Sequence, residues 1–172
     1  MLTKNFYNSV MTQLTKKNIT NGYVLSDGTI GIAAPSTATK QMWDYMCNLL
    51  PNNDLSNVAQ AGVRIGKGVT PATADDYTLE SFITSGVSIN NPSAVSVTME
   101  EGYVAAYCTY TVTNTGTTAI AISEIGLFSQ ITASSVAKLV LMDRTVLESP
   151  ITINPGQSKP ITYTIRFNYP TE

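Results

Sequence analysis

Polar and apolar positions alternate without exception from residue 161 to residue 169. Ile161, Tyr163, Ile165, Phe167 and Tyr169 take one parity; Thr162, Thr164, Arg166 and Asn168 take the other. A period of two places successive side chains on opposite faces of a strand, so this segment predicts a sheet buried on one face, with the Thr-rich face meeting either water or another subunit. Residues 103–113 read the same way, with Val104, Ala106, Cys108, Tyr110 and Val112 predicted to face the core. Farther along, Ile120 and Ile122 share one parity while Ile125 and Leu127 take the opposite one, which a β-bulge near Ser123-Glu124 reconciles. Shorter β-prone runs at 63–65, 77–83, 87–89, 95–97, 136–142 and 150–153 are punctuated by Gly, Pro and Asn. Asn114-Thr115-Gly116-Thr117 and Asn154-Pro155-Gly156-Gln157 supply turns.

The first third has a different grammar. Phe6, Val10, Met11 and Leu14 recur at helical spacing with Tyr7 beside them, predicting a short amphipathic helix over 4–17. Ser26-Asp27-Gly28-Thr29 lies between short β-prone runs and predicts a hairpin. After Pro35, a second helix is expected through Met42, Trp43, Tyr45, Met46, Leu49 and Leu50, ending at Pro51. The expected fold is therefore mainly β: an antiparallel β-sandwich, jelly-roll-like or Ig-like, over 61–172, preceded by an arm over 1–60 of two short helices and a small hairpin. On this reading, removing the arm leaves a folded β domain that no longer assembles.

Composition bears on what the surface meets. Of the 172 residues, 13% are charged against a typical ~25%, and Thr, Ser, Asn and Ala fill the difference. A neutral, hydroxyl-rich surface has little charge repulsion to keep copies apart, which suits a protein packed against neighbours. A formal net charge of −2 gives no footprint for nucleic acid or an anionic membrane. The sequence has no apolar run long enough to span a bilayer and no signal-peptide pattern at Met1–Phe6, so synthesis in the cytosol is expected. Cys47 and Cys108 are read as small buried hydrophobes rather than a disulfide framework.

Catalytic chemistry finds little to stand on. The chain contains no histidine, which removes the commonest general base and metal ligand. Asp75-Asp76 and Glu100-Glu101 are adjacent pairs, whose members point to opposite faces of an extended chain, and they read as solvated turn residues. Gly62-Val63-Arg64-Ile65-Gly66-Lys67-Gly68 has one residue too few between its first glycines for a phosphate loop and lacks the Ser or Thr that would bind magnesium. Asn52-Asn53-Asp54 does not continue as a calcium loop. No catalytic, cofactor-binding or metal-ligating residue is assigned, and no cofactor is expected.

The run from Val63-Arg64-Ile65-Gly66-Lys67-Gly68 through Asp75-Asp76-Tyr77-Thr78-Leu79-Glu80, then Ser123-Glu124-Ile125-Gly126-Leu127-Phe128, Leu141-Met142-Asp143-Arg144 and the final strand resembles, in its order, small structural proteins of tailed-bacteriophage virions. The resemblance covers roughly residues 62–169. It implies a multi-copy virion component (tail, collar, fibre-associated or head decoration protein), made in the bacterial cytoplasm and bound to its own copies and to other virion proteins. It carries no catalytic residues. Candidate contact residues are Phe6, Tyr7, Trp43 and Met46 in the arm and Tyr103, Tyr107 and Arg166 on the sheet. The rival reading is a receptor- or carbohydrate-binding module in which exposed tyrosines meet a host-surface glycan.

Overall fold

The computed structural model describes residues 1–15, 17–33, 62–90, 95–133 and 136–171; the second predicted helix, including Trp43 and Met46, lies outside them. Among the described residues the chain runs α1 (Lys4–Thr15), β1 (Ile19–Val24), β2 (Ile30–Ala33), β3 (Gly62–Gly66), β4 (Val87–Asn90), β5 (Ser96–Glu100), β6 (Tyr103–Asn114), β7 (Ile120–Ala133), β8 (Val136–Ile153) and β9 (Ser158–Asn168). The fold is mainly β, and every strand pair is antiparallel. One sheet is β3-β7-β8. Another is built on β6, with β4 and β5 end to end along one side and β9 along the whole of the other. A third is the hairpin β1-β2.

The turns form where the sequence places them, for local reasons. Gly28 has a positive φ of 82°, the left-handed region that favours glycine. Beside it Asp27 Oδ1 accepts from the Thr29 amide at 3.0 Å. In the 154–157 turn Gly156 also has positive φ, and the Gln157 amide closes the turn on Asn154 O at 3.0 Å. Asn114 is fully buried, but its amide donates to Thr118 O and Ile153 O and its oxygen accepts from the Gly116 amide, so its burial leaves no polar group unpaired.

Side chains from the β3-β7-β8 and β6-centred sheets merge into one apolar cluster, including Ile65, Ile122, Leu127 and Met142 from the first and Tyr110, Val112, Ile161 and Tyr163 from the second. The opposite face of β7 and β8 buries a smaller cluster of Leu79, Phe128, Leu139 and Leu141. Strand β7 is thus covered on both faces, and its register shifts between Ile122 and Glu124, where the parity change requires a bulge. In β6, Cys108, Tyr110 and Val112 are buried as the alternation predicts; Ala105, of the opposite parity, is buried as well and sits directly across from Arg166.

Two expectations change. The runs at 136–142 and 150–153 belong to one continuous strand, β8, of 18 residues. The run 77–83 is a loop rather than a strand, and its strand-type pairing with the sheet is limited to a bridge between Gly66 and Phe82. Some of its amides donate to side-chain carboxylates instead of a neighbouring strand.

Helix α1 lies beside the hairpin and against β8. The Asn5 side chain both donates to Val24 O and accepts from Val24 N, each at 2.9 Å, standing in for a neighbouring strand along β1. Asn8 donates to Gly22 O and Ser9 bonds the Tyr23 hydroxyl. The helix therefore buries a polar face comprising Asn5, Ser9 and Thr12, with Phe6 between them entering the main core.

Candidate functional site

The densest charged constellation surrounds Glu124, which the β7 bulge turns away from the main core. Its side chain is fully buried, and both oxygens are filled by donors. Oε1 accepts from the amides of Gly68 at 2.9 Å and Ser81 at 2.7 Å; Oε2 accepts from the Glu80 amide at 3.1 Å and Arg144 Nε at 2.9 Å. Arg144, on β8, is itself only 4% exposed and reaches Asp76 at 2.9 Å and Glu80 at 3.5 Å. Glu80 in turn accepts from the amides of Val69 and Thr70, and Asp76 from that of Thr73. One guanidinium and three carboxylates thus tie the loop 67–82 to β7 and β8.

The glycines that suggested a phosphate loop serve this packing. A Cβ on Gly66 would lie 2.6 Å from Ser81 O, and one on Gly68 would lie 2.6 Å from the Glu124 carboxyl carbon. Asp76, read as a solvated turn residue, is instead a partner of buried Arg144. Glu124 is buried with two donors on each oxygen, and in this arrangement it anchors the loop to the sheet. Among the described residues no group of three or more His, Cys, Asp or Glu side chains is placed to hold a metal ion.

The charges in this centre make stability depend on pH. Burial pushes the Asp76 carboxyl up, but the Thr73 amide and Arg144 outweigh it and hold the pKa below the ordinary value. The Thr70 amide holds Glu80 low as well. The folded chain therefore takes up these protons at lower pH than the unfolded chain. Stability from both groups is complete above the ordinary carboxylate pKa of about 4 and is lost as pH falls through the lowered values. The urea midpoint should stay level between pH 7 and 6 and fall from pH 5 to 3, with a shallower fall in Asp76→Asn; a flat acid limb would refute this.

The expected contact residues lie in different environments. Phe6 is buried, its ring stacked on Phe167 with centroids 5.9 Å apart, so it belongs to this chain's own core and is not offered to a neighbour. Tyr103 is half-covered, with the Arg166 guanidinium 3.7 Å from its ring centroid. Arg166 also bonds Asn168 and is otherwise exposed. Tyr107 is partly exposed. Trp43 and Met46 lie outside the described residues.

Tyr7 remains outward, and Met11 and Leu14, which are not among the expected contact residues, join it. Tyr7, Met11 and Leu14 are 54%, 49% and 69% exposed, one apolar stripe at i, i+4 and i+7 along α1. The apolar residues of the helix divide between two sides: Phe6 and Val10 pack on the main core beside the buried polar residues, while Tyr7, Met11 and Leu14 face out. At the far end of the β6-centred sheet, Val97, Met99, Phe167 and Tyr169 are also exposed. Met99, Val104 and Phe167 form one cross-strand row, extending the core-facing parity beyond the core.

No helix among the described residues is long and apolar enough to cross a membrane. No family model, curated protein or solved structure matches this chain.

Proposed function

We propose that this chain is a structural protein of a tailed-bacteriophage virion, assembling in multiple copies with itself and other virion proteins in the tail, collar or head-tail region. The observation that carries the assembly reading is the exposed apolar stripe of helix α1. A helix that turns Tyr7, Met11 and Leu14 to water while burying Asn5, Ser9 and Thr12 has its apolar stripe set for another surface. The phage assignment rests on the order of sequence segments described above. The two larger sheets, sharing one core, are read as the faces of a sandwich, a rigid block from which α1 presents that stripe.

The receptor- or glycan-binding reading at a fibre tip or on the head has less to work with. A stacking platform needs open aromatic faces, and the Tyr103 ring is occupied by Arg166, leaving Tyr107 as its exposed neighbour.

Peptides of this chain should be found in purified virions, and their absence would overturn the assignment. The triple variant Tyr7→Ser, Met11→Ser, Leu14→Ser should keep its circular-dichroism spectrum, because surface changes usually alter stability by about 0.5 kcal/mol or less each. It should fail to enter particles; incorporation at the wild-type level would show that α1 is not the coupling element.

A further inference from the structure

Among the described residues, the outer edge of β8 is covered and the outer edge of β9 has no strand paired to it. Along β8, the Thr3 amide donates to Met142 O, the Ser26 amide to Leu139 O, and the Arg144 amide to Met1 O, so the N-terminal residues and the hairpin cover this edge. Strand β9 pairs only with β6, and among the described residues no strand lies along its other side.

The ladder fixes which backbone groups face outward. Asn114 uses both its amide and its carbonyl toward the 156–157 turn, and the Gly102 carbonyl accepts from the Tyr169 amide. Even-numbered residues of β6 therefore bond toward β9. Through the register Val104↔Phe167, Cys108↔Tyr163 and Val112↔Lys159, the odd-numbered residues of β9 bond back. Thr162, Thr164, Arg166 and Asn168 direct their amides and carbonyls outward, and Pro160 its carbonyl.

An open edge of this length is a template for another strand unless charge, proline or a bulge blunts it. Pro160 stands near one end, and the β6–β9 register runs without a shift. Arg166 is the only charged side chain among the outward-bonding positions, and it is drawn back over the Tyr103 ring and onto Asn168.

We infer that a second copy of this chain adds to the sheet along β9, as an antiparallel pair with its twofold axis at Thr164. This deepens the assembly reading by naming one partner and its surface. In that register Thr164 exchanges both bonds with Thr164 of the second copy, Thr162 meets Arg166 in both directions, and the Asn168 amide donates to Pro160 O. No like charges face each other. On the other face, Phe167, 44% exposed, falls opposite Ile161 of the second copy, and Tyr169, 45% exposed, opposite Lys159. Moving the axis to residue 163 would set Phe167 against Lys159 and leave Tyr169 beyond the paired strand, so the Thr164 axis covers more aromatic surface.

Sedimentation of the full chain over a range of concentrations tests this. The wild-type protein should self-associate. Thr164→Glu and Thr164→Lys should each raise the dissociation constant about tenfold or more, because identical charges then face each other across the axis. Both should stay folded, since the Thr164 side chain is exposed. Mixing the two variants should restore pairing as a hetero-pair. Unchanged self-association of either variant, or no recovery on mixing, overturns the inference. So does a wild-type chain that stays monomeric. These outcomes remain distinct from failure of the assembly reading, which is decided by whether the chain is present in virions.

Discussion

Glu124→Ala is expected to cost about 3–5 kcal/mol of folding stability, the range seen when one member of a buried ion pair is removed. The truncation leaves the amides of Gly68, Glu80 and Ser81 without their acceptor and takes from Arg144 its most buried partner. Against a total of about 5–15 kcal/mol for a domain, such a loss brings the protein close to unfolding. Glu124→Gln discriminates further. It preserves the volume, but all four groups around the carboxylate are donors, so the side-chain NH2 of glutamine must face a donor whichever way it is turned. The Gln variant should therefore lose more than about 2 kcal/mol, a cost in the range for unsatisfied buried donors. Urea denaturation at pH 7 reads both variants; a Gln protein within about 1 kcal/mol of wild type would show that shape, not charge and acceptor count, holds the loop.

The same centre shows what was legible in the sequence. The antiparallel strands and several turns could be read because their causes are local: alternation in 161–165, Asp27-Gly28, Pro155-Gly156. The bulge at Ser123-Glu124 was legible as a change of parity. Its consequence was not, because the partners of Glu124 lie 20 to 56 residues away along the chain. Two signals pointed toward it: an acid placed where the apolar parity switches, and Gly66 with Gly68 in a segment that matched no phosphate-binding motif. The segment 77–83 reads as a strand because its apolar residues alternate adequately, but the acceptors that take its Glu80 and Ser81 amides belong to the distant Glu124 side chain. Helix α1 was legible as an amphipathic helix, but not in which face it buries, since Asn5 and Asn8 are committed to backbone groups of the hairpin.

Deleting residues 1–33 is expected to abolish cooperative folding, the reverse of what the arm-and-domain reading of the sequence implies. Phe6, Tyr23 and Leu25 are buried in the same cluster as Ile65, Leu127 and Tyr163. At about 1.5–3 kcal/mol for each buried large apolar side chain, their loss amounts to roughly 4.5–9 kcal/mol, comparable with the whole stability of a domain. The backbone adds to this. Without Thr3 and Ser26, the carbonyls of Met142 and Leu139 lose their donors, and the Leu141 carbonyl loses the bonds from the Thr3 hydroxyl at 2.6 Å and the Asn5 side chain at 3.2 Å. The freed edge of β8 would then be open to strand pairing with other chains. The shortened protein should show poor amide dispersion by NMR, bind a hydrophobic dye and aggregate on concentration. A dispersed spectrum and an unfolding free energy within about 2 kcal/mol of the full chain would mean that the first 33 residues are a separable arm. Phe6→Ala resolves the same question without truncation: a core ring should cost about 3–5 kcal/mol, whereas a ring held only for a neighbouring subunit would cost the isolated chain almost nothing.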